Sequence, residues 1–114
     1  MTVQEIMDAL DLTVVAGNAK IDNVVSSGYA SDLLSNVMGQ AAMGSIWVTM
    51  QGHQNIVAVS SLLGLAAVIV AGGVQPDKEA IGKAETEGIV LLTTALPVFQ
   101  VVGILYSMGV RGMG

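Results

Sequence analysis

Ile46-Trp-Val-Thr-Met50, then Gln51-Gly-His-Gln-Asn55, then an uncharged run closing on Val68-Ile-Val-Ala-Gly72-Gly73, is the stretch that decides the fold. Ser45 to Met50 is rich in β-branched and aromatic residues and reads as a strand. The five polar residues after it break the pattern. Asn55 is placed to cap a helix through Leu63, which Gly64 ends. Leu65 to Ala71 is a continuous apolar run, the mark of a strand buried on both faces of a parallel sheet. Two apolar strands joined through a helix of about ten residues form a parallel crossover.

The same alternation continues toward the C-terminus. Pro76-Asp77 opens a helix to Glu87, with Ile81 and Ala84 facing inward and Gly88 as its stop. Ile89 to Thr93 reads as a strand. Thr94 is placed to cap a last helix with Pro97 in its first turn, ended by Gly109. Toward the N-terminus, Ser31 or Asp32 caps a helix that buries Leu33, Leu34, Val37 and Met38. Val24 to Tyr29 and Leu12 to Ala16 are strands, separated by polar turns over Asn18 to Asn23. Thr2-Val-Gln-Glu5 has the form of a capping box and opens a helix from Val3 to Leu10. The expected fold is α/β and three-layered: a mainly parallel sheet of four or five strands with helices on both faces. The 114 residues read as one domain, 1–114.

Composition narrows the function. Hydrophobic residues make up 53% and charged residues 11%, a charge content below the roughly 25% usual in a soluble domain. The net charge is −5, and Lys20, Lys78, Lys83 and Arg111 are scattered, so a nucleic-acid surface is not expected. There is no cysteine, hence no disulfide or thiolate metal site. Thr2 to Leu10 carries Glu5 and Asp8 and no basic leader, which points to the cytoplasm. Ile56 to Val74 and Gly88 to Val110 are charge-free and long enough to span a bilayer. Glycines, serines and threonines, Pro97 and Gln100 divide each into a helix and a strand, so no membrane partner is expected.

In open parallel sheets, ligands sit beyond the carboxyl ends of the strands. Here that edge presents Thr49, Gln51, Gly52, His53, Gln54, Asn55, Gly72, Gly73, Thr93 and Thr94, a candidate site for a small anion. His53 is the one histidine; no neighbour in sequence supplies a catalytic partner, although Asp32 can approach it through the fold. Asp32 itself reads as a helix cap. Scattered carboxylates and one histidine give no metal-ligand spacing, and no phosphate loop or dinucleotide fingerprint occurs. No cofactor is expected. The seven methionines are dispersed and read as gap fillers.

No Asp, Glu, Lys or Arg occurs from Leu33 to Pro76, or from Gly88 to Val110. Helices in those runs present uncharged outer positions: Ser60 and Ser61 in the first, Gln100, Gly103 and Ser107 in the second. Charge depletion marks an interface core, so these five residues are the expected contact of a homodimer.

Tyr29-Ala-Ser-Asp32-Leu-Leu-Ser35, Gly44-Ser-Ile-Trp47-Val-Thr49, Gln51-Gly-His-Gln-Asn55-Ile-Val-Ala-Val59 and Val68-Ile-Val-Ala-Gly72-Gly73 together resemble a DRTGG domain. That family is similar to the N-terminal, non-catalytic domain of HPr kinase/phosphorylase. It also occurs within phosphotransacetylases and between CBS domains of some inorganic pyrophosphatases. The resemblance implies an accessory, regulatory or dimer-forming module, here in free-standing form. The naming residues differ: the family's Asp-Arg falls on His53-Gln54 and its Thr on Ala71, leaving Gly72 and Gly73. The functional expectation is a non-catalytic regulatory or protein-interaction module that self-associates and has possible further protein partners. The alternative is a sensor of a small anion or nucleotide at the strand-end loops. A stand-alone enzyme ranks third, because no catalytic constellation assembles.

Overall fold

The structure, a computed structural model, describes residues 1–112. In chain order it comprises α1 (Val3–Ala9), β1 (Thr13–Ala16), a 3₁₀ turn (Asn18–Lys20), β2 (Ser27–Ala30), α2 (Leu34–Gln40) and β3 (Ser45–Thr49). There follow α3 (Asn55–Leu63), β4 (Ala67–Val70), α4 (Lys78–Glu87), β5 (Leu91–Thr93) and α5 (Val98–Ser107). The sheet has five strands in the order β1-β5-β4-β3-β2. β2, β3, β4 and β5 are parallel; β1 runs antiparallel to β5.

This order explains the layers. The chain moves one strand at a time from β2 to β5, and right-handed crossovers in one direction put their helices on one face. α2, α3 and α4 accordingly share a core with Trp47, Val68, Val70 and Leu91. α1 and α5 lie on the other face, over Ile46, Val48, Ile69 and Leu92. The expected three-layer α/β architecture is therefore present, with β4 buried on both faces as its unbroken apolar sequence requires.

The strands are shorter than their apolar runs. Val24 bridges Thr2, and the Val25 amide donates to Met1 O at 2.8 Å, so β2 starts only at Ser27. The capping box at α1 is present in both directions: Glu5 N donates to Thr2 Oγ1, and Thr2 N to Glu5 Oε1. Gly64 and Gly88 end α3 and α4.

Three expected caps are overturned. The N-cap of α2 is Leu33, whose amide donates to Ser31 Oγ; the Asp32 carboxylate reaches instead to the end of β3. Asn55 does not cap α3: it is the first helical residue, with Gln54 at the N-cap, and its amide donates to His53 Nδ1 at 3.1 Å. Thr94 does not cap α5. Its Oγ1 accepts from Leu96 N at 3.2 Å, and the carbonyls of Thr94 and Leu96 accept from Gly73 N and Gly72 N. Residues 94–96 are thus pinned to the neighbouring turn. Pro97 keeps Leu96 out of helical geometry, so Pro97 is the N-cap rather than a first-turn residue.

Among the described residues no helix is long and apolar enough to cross a membrane. The two charge-free runs divide as expected, one into α3 and β4, the other into β5 and α5.

Candidate functional site

The strand-end residues expected from sequence do gather on one edge. Thr49, Ala71 and Thr93 stand at the ends of adjacent parallel strands, with Gln51 to Asn55, Gly72-Gly73 and Thr94 in the loops beyond. Gly72 and Gly73 both adopt positive φ, 72° and 77°, a double left-handed turn that only glycine makes without strain.

The edge is knitted to itself. Asp32 Oδ1 accepts from Thr49 Oγ1 at 2.7 Å and from Met50 N at 2.8 Å. The Gln51 side-chain amide donates to Asp32 O, and Gln51 N to Thr49 Oγ1. Asp77 N donates to Gly52 O at 2.8 Å. The amides of Met50, Gln51, Asn55, Gly72 and Gly73 are all committed within the chain. Those amides are not free for an anion, and a carboxylate stands among them, whereas the amides of Gly52, His53 and Gln54 make no bond among the described residues. His53, Gln54 and Asn55 are exposed, and His53 Nδ1 accepts from the Asn55 amide. The Asp32 carboxylate bonds to Thr49 and Met50, not to His53. Among the described residues no group of three or more metal-ligating side chains assembles.

A concavity lies elsewhere, beneath α5 at the open side of β2, with a volume of about 190 Å³. The pairing register explains it. Gly28 and Ala30 of β2 stand beside Ile46 and Val48 of β3, whose side chains face α5. Where β3 offers Ile and Val, β2 offers a hydrogen and a methyl group, and the space stays open. Val48 and Ala30 form the floor, Val102, Leu105 and Tyr106 the roof, and Val110 to Gly112 the outer wall.

The wall is fastened. Gly28 N donates to Arg111 O at 3.0 Å, and Val110 Cγ1 lies 3.0 Å from where a Cβ on Gly28 would stand. The Arg111 guanidinium sits 3.8 Å over the Tyr106 ring, and its Nη1 donates to Tyr106 O at 2.6 Å and Val110 O at 3.2 Å. Sequence reading missed Gly28, Ala30, Tyr106 and Arg111. The available signal was small residues at alternate positions of an otherwise β-forming segment.

The expected interface residues separate. Ser60 is fully buried, with 0% exposure, and belongs to no surface. Ser61 is exposed on α3, whereas Gln100, Gly103 and Ser107 are exposed on α5, across the sheet. A single patch joining the two helices is excluded. α5 also exposes Phe99 (89%), Val102 and Tyr106.

No known protein-family profile matches the chain, and no curated protein matches it. Among solved structures, the chain is similar to the CBS and DRTGG domains of the regulatory region of Clostridium perfringens pyrophosphatase. That structure is a complex with the activator diadenosine tetraphosphate. The TM-score is 0.73 and the sequence identity 20%, over 91% of this chain and 45% of that one. This chain therefore spans less than half of the neighbour's length. The likeness supports, at the level of the fold, the relation that the sequence motifs imply.

Proposed function

We propose that the protein is a non-catalytic regulatory or interaction module that self-associates through the exposed face of α5. The observation that carries this reading is the composition of that face. Phe99, Val102, Gly103 and Tyr106 recur at helical spacing, with Gln100 and Ser107 beside them, all exposed and none charged. Two copies at −5 each repel, and they meet at least cost where neither presents a carboxylate. Gly103 lets two helices approach closely, and a two-fold axis sets the same patch of both copies face to face. The regulatory part of the reading is supported by likeness in fold to a region described as regulatory. The non-catalytic part is supported by the Asp32 carboxylate, which bonds to Thr49 and Met50 rather than to His53.

Sedimentation equilibrium over a wide concentration range tests the reading. The native chain should dimerise, and Gln100→Arg should weaken the dimer; a native chain that stays monomeric throughout refutes it.

A second reading, a nucleotide or small-anion sensor, is favoured by the nucleotide in the neighbour's complex. The Asp32 carboxylate and the committed amides of Met50, Gln51, Gly72 and Gly73 weigh against that part of the edge as its site. Stabilisation by millimolar diadenosine tetraphosphate in a thermal scan would support it, because a ligand bound to the native state raises stability by mass action.

A further inference from the structure

We propose that the slot beneath α5 binds a small aromatic monocarboxylate, its ring between the sheet and α5 and its carboxylate on Arg111. Size fixes the ring. An apolar cavity of about 150 Å³ admits benzene, so about 190 Å³ accommodates a single ring. The lining is apolar on both sides: Val48 and Ala30 below, Val102 and Leu105 above.

Arg111 fixes the charge. Among the described residues it is the only charged one lining the slot. A guanidinium carries five N–H donors in a planar fork. Both hydrogens of Nη1 are directed to backbone carbonyls, of Tyr106 and Val110. Stacking on Tyr106 holds the plane. The Nε–Nη2 edge remains, and its two parallel donors match the two oxygens of a carboxylate. Among the described residues no Asp or Glu side chain bonds to that edge. The guanidinium is thus oriented by three contacts before any ligand arrives, which lowers the cost of ordering it.

The site is complete within one chain, and Val102 and Tyr106 of its roof also belong to the face proposed for self-association. Benzoate is the probe, with benzamide as the ring without charge and acetate as the charge without ring. Titration is followed by amide resonances of the isotopically labelled native chain. Benzoate should give saturable shifts centred on Gly28, Ala30, Val102 and Arg111, and each partial probe should bind at least about tenfold more weakly, benzamide for want of the charge-assisted pair and acetate for want of the buried ring. Arg111→Gln should lose about the same factor, with Arg111→Lys intermediate because lysine cannot offer the fork. Ala30→Leu, which fills the slot from the exposed edge strand, should abolish the shifts while the dispersion of the spectrum persists. The proposal is overturned by an absence of saturable shifts at tens of millimolar benzoate, by equal binding of benzamide, or by unchanged binding in Ala30→Leu. Sedimentation of the same samples reports the dimer separately, so either reading can fail without the other.

Discussion

One oxygen of Asp32 takes two hydrogen bonds, from the buried Thr49 hydroxyl and from the Met50 amide, and ties the loop after β2 to the loop after β3. Asp32→Ala leaves Thr49 without that acceptor while water can reach the amide of exposed Met50. A loss of about 1–2 kcal/mol is expected. Asp32→Asn retains an oxygen acceptor and should lose less. Urea denaturation of the three chains measures both; no loss in Asp32→Ala would show that the contact contributes nothing. Ser60 is the opposite case. Its Oγ is buried and has no hydrogen-bond partner among the described residues. Ser60→Ala removes an unsatisfied polar group and should be neutral or stabilising by up to about 1 kcal/mol, and a clear loss would reveal a partner for that hydroxyl. Neither role was legible from sequence. Serine in a charge-poor helix reads as a polar outer face, and an aspartate before a helix reads as its cap. The deciding contacts come from the tertiary packing, seventeen residues away for Asp32 and Thr49.

At the scale of elements the sequence was far more informative. Continuous apolar runs, separated by polar loops and by Gly64 and Gly88, located β3, α3, β4, α4 and β5 because buried parallel strands and amphipathic helices have distinct periods. Strand ends were less legible: pairing with α1 and its flanks consumes Val24 and Val25. The antiparallel pairing of β1 was not legible at all, since its short segment carries no signal of direction. The Gly72-Gly73 turn shows how an element constrains function. Both amides already donate across to residues 94–96, so these glycines serve the turn. Gly72→Val forces a β-branched residue to φ near 72° and brings its Cβ within 2.9 Å of Met50 Cε. A cost of about 1–3 kcal/mol is expected from the backbone alone. Denaturant melts should register it with or without ligand, whereas stability equal to the native chain would mean the turn refolds around valine.

For the molecule as a whole, charge is distributed by layer. The acidic and basic residues of α4 face water, with Lys78, Glu79, Glu85 and Glu87 exposed, whereas α3 and α5, on opposite sheet faces, present none. The sequence revealed both charge gaps but not that the sheet stands between them. Two candidate surfaces therefore exist, and they are distinguishable. α5 exposes Phe99, Val102 and Tyr106; the opposite layer exposes Leu33, Met43 and Leu62. A ten-residue helix is only about 15 Å long, and a standard interface buries roughly 800 Å² per partner. α5 would thus supply the centre of a contact and flanking elements its rim. α1, on the same face, carries exposed Glu5 and Asp8, whose repulsion across a two-fold disfavours that side as rim. If α5 is the centre, folding is coupled to association and the thermal midpoint of the native chain rises with protein concentration. Phe99→Lys places an unpaired charge where the partner must exclude water, which costs several kcal/mol in the dimer and almost nothing in a monomer that leaves the position exposed. That variant should sediment as a monomer and lose the concentration dependence of its midpoint. Ser61→Arg, on α3, should keep both properties of the native chain. The reverse outcome, dissociation by Ser61→Arg and none by Phe99→Lys, would move the contact to the layer of α2 and α3.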